Sequence, residues 1–169
     1  MTSSEMDTPQ PSDALALLPH GPEVAFVSRV LASDAQCIWA VAPVSRAAAF
    51  ADAEGLPALY GLEILAQTAA AFFTLAAGGG APRQGMLIAC QSFSAEQPYF
   101  ARTATLLARA ELASALPAAD QGKGLVRFSG QLYLPDEAVL RTLPDPCEAA
   151  ELSALAGVQI CEANFSVYI

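Results

Sequence analysis

The sequence predicts an α+β domain in which an antiparallel sheet wraps around one long central helix. The first supporting observation is a nearly unbroken apolar run over Leu56–Ala77, LPALYGLEILAQTAAAFFTLAA. A run of this length predicts a helix of about five to six turns. The second observation is a set of strand-like segments on both sides of the run, separated by short turn signals. This order of elements is typical of layered α+β architectures.

The central helix has clear start and stop signals. Pro57 suits a first-turn position, and Gly78-Gly79-Gly80 followed by Pro82 ends the run. A helix that is apolar on nearly all sides belongs in a protein interior or in a membrane. A membrane span would place Glu63 within hydrocarbon, and no basic flank precedes the run. We therefore predict a buried helix and no membrane span.

Shorter elements flank this helix. Ahead of it, Pro11–Leu18 suits a short helix capped by Ser12. Two strands, Val24–Leu31 and Gln36–Val44, then form a predicted hairpin. Behind the central helix we predict four strands and a short helix within an insertion at 136–156. The strands cover Gln84–Ala95, Thr103–Ser114, Gly124–Leu134 and Val158–Ile169, with the last one inside the sheet, and the helix covers Asp145–Leu155.

Length and composition describe one acidic, well-packed domain. The 169 residues are 54% hydrophobic and 15% charged, which argues against disorder. We predict a single domain at 11–169 after a flexible polar tail at 1–10. The net charge of −9 disfavours nucleic acid as a partner, because phosphate would be repelled.

The cysteines and the first residues indicate a reducing compartment. Cys37, Cys90, Cys147 and Cys161 lie far apart and form no CxxC pair, which disfavours a zinc site. We expect no bound metal and reduced thiols. The first ten residues hold no basic segment followed by an apolar core, so we expect no signal peptide and a cytoplasmic protein.

Glu63 and Gln67 are polar residues in the otherwise apolar central helix, and a hypothesis about function must account for them. Four residues apart, they stack on one helix face. A carboxylate there must be paired, neutralised or facing a cavity. The spacing alone leaves two interpretations open: a glutamate that reaches solvent or a partner interface, and a reactive carboxylate that faces a second chemical group.

His20 is the candidate for that second group. It is the one histidine of the chain and lies between two prolines in Leu18-Pro19-His20-Gly21-Pro22. Prolines restrict the backbone and suit a side chain held by a rigid loop. Histidine exchanges protons near neutral pH, so acid/base work is one interpretation, and a surface or core histidine is the other.

Two stretches match the motifs of one family, in the family's order. They are LPHGPEVAFVSRV at 18–30 and LEILAQ at 62–67. They resemble the LPHR-(x)-PF-L-(x)-DRV opening and the VEALAQ helix motif of the bacterial 3-hydroxyacyl-acyl-carrier-protein dehydratases. The YGLE helix start and the PRQG stretch at 82–85 are most similar to the FabZ-like dehydratases of aryl-polyene clusters. The resemblance implies the hotdog fold, a long helix wrapped by a curved antiparallel sheet.

The resemblance also implies roles for individual residues. His20 would remove the C2 proton of a 3-hydroxyacyl thioester, and Glu63, kept partly neutral by its apolar helix, would protonate the departing hydroxyl. Gln67 would orient Glu63 or a water molecule. Phe50 would line the acyl tunnel, with core packing as the alternative.

The segment ahead of the helix departs from the family pattern. The HFPG motif is missing, and Ala58 stands where the family has a glycine whose region supplies a backbone amide to the thioester carbonyl. Gly61 or a neighbouring first-turn amide is therefore a substitute candidate for this oxyanion donor.

The implied partners follow from the same resemblance. Substrates would arrive on the phosphopantetheine of an acyl carrier protein, with no further cofactor, and Arg83 and Arg102 are the candidates for docking the carrier. Hotdog proteins pair through a continuous sheet, so we expect a homodimer or higher oligomer, or a pairing with a second hotdog subunit. His20 of one chain would then meet Glu63 of the other.

Two other functions remain open from the sequence. In a hotdog thioesterase, a helix carboxylate would activate water without requiring His20. A non-catalytic hotdog subunit would support a catalytic partner, which the missing HFPG motif allows.

Overall fold

A six-stranded antiparallel sheet forms the framework of the protein. The computed structural model describes residues 13–117, 124–143 and 147–169. The predicted tail at 1–10, the Ser12 cap and the start of the helix predicted at Asp145 lie outside these residues. The strands are β1 (Arg29–Ser33), β2 (Cys37–Pro43), β3 (Leu56–Pro57), β4 (Met86–Ala95), β5 (Tyr99–Phe100), β6 (Thr105–Pro117), β7 (Gly124–Leu134) and β8 (Val158–Tyr168).

Three α-helices accompany the strands: α1 (Tyr60–Ala76), α2 (Glu137–Thr142) and α3 (Ala149–Leu155). Short 3₁₀ helices cover Ala14–Leu17 and Val44–Phe50. The side chain of Asp13 caps the first of these by accepting from the Leu15 N–H. Helix α2 falls inside the predicted insertion and was not expected from the sequence.

The sheet order confirms the predicted α+β fold. The strands lie in the order β1-β2-β6-β7-β8-β4, so β8 is inside the sheet as expected and β4 forms one edge. Helix α1 packs on one face through an apolar stripe that includes Ile64, Leu65 and Phe72. Phe72 meets Phe128 of β7 edge to face, and Phe128 stacks on Phe165 of β8. The helix is therefore buried in the protein core.

A second apolar cluster covers the opposite face of the sheet. Trp39 of β2 is 1% exposed and stacks on Tyr133 of β7. Leu152 of α3 is fully buried in the same cluster. Helix α3 thus helps to cover this face of the sheet, which would otherwise expose Trp39.

The central helix begins later than predicted. Leu56 and Pro57 form strand β3, which pairs with Phe100 and Tyr99 of β5. Gly55 precedes them with a φ of 136°, a conformation that L side chains rarely adopt. The prediction of Pro57 as a first-turn residue was wrong, because Gly55 and the pairing with β5 keep this segment extended.

The first strand also begins later than predicted. Val24 and Phe26 were assigned to a strand from the sequence, but β1 starts at Arg29. The Val24 carbonyl and the Phe26 N–H bind the Gln67 side chain of helix α1 rather than a neighbouring strand.

Among the described residues, no helix is long and apolar enough to cross a membrane.

We predict that Gly55→Ala lowers the free energy of unfolding by about 1–3 kcal/mol, because it adds a strained backbone and a steric clash. A Cβ at this position would clash with the Phe100 carbonyl oxygen. Urea denaturation measures the change. Gly80→Ala is the control, since a Cβ there has no heavy atom within 4 Å. Equal stability of both variants would contradict this account of the segment ahead of α1.

Candidate active site

His20 and Glu63 lie next to each other in the same chain. The distance from His20 Nε2 to Glu63 Oε1 is 3.6 Å, and the two side chains are 30% and 41% exposed. The expected meeting of His20 with Glu63 of a second chain is therefore corrected: one chain brings the pair together. The physical reason is that the segment after His20 is bound to the chain's own helix α1.

Gln67 makes that attachment. Its side chain is 1% exposed and lies under the His20 loop. The Gln67 Nε2 donates to the Val24 carbonyl at 2.8 Å, and its Oε1 accepts from the Phe26 N–H at 2.8 Å. A side-chain amide thus satisfies two backbone groups that have no strand partner.

The same amide also orients Glu63. Gln67 Nε2 donates its second hydrogen to Glu63 Oε1 at 2.9 Å. The two backbone bonds fix which end of the amide carries nitrogen, so this contact is a donation to the carboxyl group. Glu63 Oε1 is therefore an acceptor, and any proton on the carboxyl group belongs on Oε2.

His20 presents one ring nitrogen to Glu63 and buries the other. Its Nδ1 is buried and has no hydrogen-bond partner among the described residues. Its Nε2 points toward Glu63. Of the two ring nitrogens, Nε2 is therefore the one available to a bound molecule.

A cavity of about 90 Å³ opens beside this pair. Helix α1 contributes one wall through residues at helical spacing, starting from Glu63 and Gln67 and including small and apolar side chains further along. The opposite wall comes from the start of β4 and the end of β8. The cavity is lined by His20, Glu63 and Gln67 together with Pro19, Ala66, Ala70, Phe73, Arg83, Gly85, Leu87, Val167 and Ile169.

Part of this lining was missed from the sequence. Ala66, Ala70 and Phe73 follow Glu63 at intervals of three or four residues, so the helical period would have placed them on the same face. Nothing comparable marks Val167 and Ile169, because only the pairing of β8 with β4 brings the end of the chain to the helix.

The predicted oxyanion donors are not free in this structure. The Ala58 N–H donates to the Pro98 carbonyl, and the Gly61 N–H donates to the Ala58 carbonyl. Gly61 is instead a packing residue, since a Cβ there would lie 3.0 to 3.3 Å from Leu132, Cys161 and Phe100. This corrects the expectation for Gly61, and Ala58 at the family's glycine position offers no free amide either.

Neighbouring amides at the helix start remain candidates. Helix α1 begins at Tyr60, and Leu59 is its N-cap. The Leu59 and Tyr60 N–H groups have no acceptor among the described residues outside the helix, as is usual in a first turn. They stay candidates for the first-turn amide expected near Gly61.

Phe50 and Arg102 lie outside the cavity lining. Phe50 packs edge to face on Phe26 and also contacts Tyr60, which favours the core-packing alternative. The Arg102 guanidinium donates to the carbonyls of Ala51 and Asp52. Arg102 therefore fixes the loop ahead of β3, whereas Arg83 reaches the cavity.

The buried thiols do not offer a nucleophile. Burial raises the pKa of Cys161 to about 12, and the nearby Glu162 charge adds to the effect. Burial and the Asp34 carboxylate raise the pKa of Cys37 to about 11. Both thiols stay protonated at neutral pH and are poor nucleophiles. Within the described parts of the chain, no three His, Cys, Asp or Glu side chains gather as a metal site would require.

A model of a known protein family covers most of the chain. Residues 12–157 match the family model ApeP-like, described as ApeP dehydratase. The chain belongs to the ApeP-like dehydratase family. This confirms the resemblance to the FabZ-like dehydratases of aryl-polyene clusters.

A solved structure is similar to this ApeP-like chain over most of its length. It is the dehydratase heterocomplex ApeI:P from Xenorhabdus doucetiae, with a TM-score of 0.69 and 15% sequence identity. The match covers 93% of this chain and 90% of the other chain. At this identity the comparison shows the shared fold. No curated protein matches the chain.

We predict that Gln67→Leu lowers the free energy of unfolding by about 2–4 kcal/mol, because two buried backbone groups lose their partners. Thermal or urea denaturation measures the loss. Thr68→Val is the matched control: Thr68 is also buried on α1, but its hydroxyl only bonds to the Ile64 carbonyl of the same helix. A Gln67→Leu variant as stable as Thr68→Val would show that the amide does not hold the His20 loop.

Proposed function

We propose that this chain removes water from a 3-hydroxyacyl thioester to give the trans-2-enoyl thioester. The observation that carries the proposal is the 3.6 Å approach of His20 Nε2 to Glu63 Oε1 at the wall of a largely apolar cavity. The C2 proton of such a thioester is weakly acidic and hydroxide is a poor leaving group. The reaction therefore needs both a base and an acid.

The two side chains divide these tasks. His20 Nε2 takes the C2 proton, and the electron pair of that C–H bond forms the C2–C3 double bond. The C3–O bond breaks as Glu63 Oε2 delivers a proton to the leaving oxygen, which departs as water. The amides of Leu59 and Tyr60 are candidates to stabilise the enolate-like oxygen of the thioester.

The shared position of the pair has two consequences. Because both groups lie on one wall of the cavity, proton removal and hydroxyl departure take place on the same side of the substrate. After turnover, His20 carries the extra proton and Glu63 lacks one. The proton must return from His20 to Glu63 Oε2 before the next turnover, and the proximity of the two side chains provides a short path.

The substrate carrier is part of the same proposal. Loss of water changes no overall oxidation state, so the reaction itself requires no redox cofactor. The acyl group is carried on the phosphopantetheine of an acyl carrier protein. The docking charge on the enzyme must be local, because the chain as a whole carries a net charge of −9.

A second hotdog subunit covers strand β4. This ten-residue strand pairs with β8 on one side and has no strand partner among the described residues on the other. Met86, Leu87 and Ile88 are 64%, 38% and 53% exposed. Neighbouring residues of a strand point to opposite faces, so β4 is uncovered on both faces as well as at its edge.

A strand with an unpaired edge promotes aggregation when the domain is alone, whereas in an assembly a second chain can pair with it. The similar structure from Xenorhabdus doucetiae is a heterocomplex, which supports a related hotdog chain as the partner that covers β4. Leu87 belongs to both β4 and the cavity wall, so a subunit on β4 would border the cavity.

We predict that His20→Ala and Glu63→Gln each slow dehydration of a 3-hydroxyacyl carrier-protein thioester at least about a hundredfold. Mass spectrometry of the carrier-bound acyl group follows the loss of water, with the second hotdog subunit added where the chain requires it. Thr68→Val, on the same helix but away from the cavity lining, is expected to keep its activity.

Three results would contradict the proposal. If the His20→Ala and Glu63→Gln variants were as active as the wild type, the two side chains would not be the base and the acid of the reaction. Hydrolysis of the thioester that survives His20→Ala would indicate a thioesterase in which Glu63 activates water. Activity of a mixed complex that survives both substitutions would assign this chain a non-catalytic role.

We predict that Ile88→Lys prevents subunit association, because it buries an unpaired charge in the proposed interface. Light scattering coupled to gel filtration measures the assembly, both for the chain alone and with its hotdog partner. Val158→Lys is the matched control, since Val158 is 69% exposed but lies on β8 rather than at the edge.

Alkylation of Cys90 gives a second readout of the same interface. Cys90 is exposed on β4, whereas Cys37 and Cys161 are buried and serve as slow internal standards. Association is expected to slow the alkylation of Cys90. A chain that stays monomeric under all these conditions, with Cys90 always reactive, would contradict the proposed use of β4.

A further inference from the structure

We propose that Arg83 binds the phosphate of the phosphopantetheine arm. The cavity that contains His20 and Glu63 extends along α1 as a groove, and this groove holds the arm. The inference rests on the proposed function and adds a binding site to it. Arg83 lines the same cavity as His20 and Glu63. The proposal requires that Arg83 is available, that it lies at the right end of the groove, and that the groove suits the arm.

Arg83 is available for a ligand. It is exposed, and no hydrogen bond or ion pair joins it to another described residue. Most other arginines are engaged within the chain. Arg46 and Arg102 bind backbone carbonyls, Arg109 binds Glu111 and Gln131, and Arg141 binds Glu137.

Strand register places Arg83 at the end of the groove away from the reactive pair. Early in α1, Gly61 packs against Leu132 of β7, whereas Phe73 packs against Phe128 of the same strand. The helix therefore runs toward the start of β7, at Gly124. Strand β4 begins at this end too, because Met86 pairs with Tyr168 and Tyr168 pairs with Leu125. Arg83 lies three residues ahead of Met86.

The length of the groove matches the arm. Glu63 and Phe73 are ten residues apart and both line the cavity, which corresponds to about 15 Å along the helix axis. An extended pantetheine arm has roughly the length of five extended residues, about 17 Å. A phosphate at Arg83 therefore allows the thioester to reach His20 and Glu63.

The lining has the chemistry that the arm requires. Ala66 and Ala70 are small side chains that leave room beside the helix, and Leu87 and Val167 offer apolar contacts to the methyl and methylene groups of the arm. An arginine guanidinium forms charge-assisted, bidentate hydrogen bonds with phosphate oxygens. In a chain with a net charge of −9, an unpaired arginine in the cavity wall gives an anion a defined place to bind.

The test compares thioesters with and without the phosphate. We expect Arg83→Ala to raise KM for the 3-hydroxyacyl phosphopantetheine thioester about tenfold, which corresponds to the free energy of one charge-assisted hydrogen bond. The value of kcat should change little. KM for the pantetheine thioester, which lacks phosphate, should not change. Arg83→Lys should recover part of the loss. The control is Arg127→Ala, which removes an exposed charge from β7 outside the cavity.

Carrier-protein and coenzyme A thioesters separate the sources of the phosphate. Equal effects of Arg83→Ala on both would support direct phosphate binding. An effect on the carrier-bound substrate alone would overturn it and place Arg83 against the carrier surface. An equal effect on the pantetheine thioester would also overturn it, because the lost contact would then not involve phosphate.

Binding without turnover keeps this inference separate from the proposed function. Calorimetry with unacylated phosphopantetheine and pantetheine needs no catalysis. Wild-type protein, in complex with its partner subunit where one is needed, should bind the phosphorylated arm about tenfold more tightly, and Arg83→Ala should remove the difference. Equal affinities for the two compounds in the wild type would overturn the inference even if dehydration is observed.

Discussion

The attachment of the His20 loop to helix α1 through the Gln67 amide determines the geometry of the whole site. One buried side chain binds the Val24 carbonyl, the Phe26 N–H and the Glu63 carboxyl group. These three bonds orient the glutamate and hold the strandless segment that follows His20. Because the amide is 1% exposed, water competes little for these bonds.

This arrangement explains how a single chain brings His20 and Glu63 together. The chain passes from the loop of His20 over the helix and reaches β1 only at Arg29. A segment that joined the sheet earlier would have its backbone groups bound to strand β2, and His20 would lie farther from α1. The late start of β1 is thus tied to the position of the histidine.

The sequence predicted the parts of the fold that depend on local patterns. The apolar run at 56–77 indicates a buried helix whatever surrounds it, and the four-residue spacing of Glu63 and Gln67 fixes their shared face. His20 stood out because of its chemistry and its flanking prolines. The start of α1 was misplaced because the pairing of Leu56 and Pro57 with β5 depends on residues more than 40 positions away. The same holds for the cavity wall at Val167, which only sheet pairing reveals.

The two apolar clusters place a strict requirement on strand β2. Ile38, Ala40 and Ala42 face the cluster around α1, whereas Cys37, Trp39 and Val41 face the cluster under α3. Both faces of this strand are buried, so an inserted or deleted residue would exchange the two sets of side chains and disrupt both cores at once. Changes in chain length among related proteins should therefore accumulate in the connections of the sheet and spare strand β2.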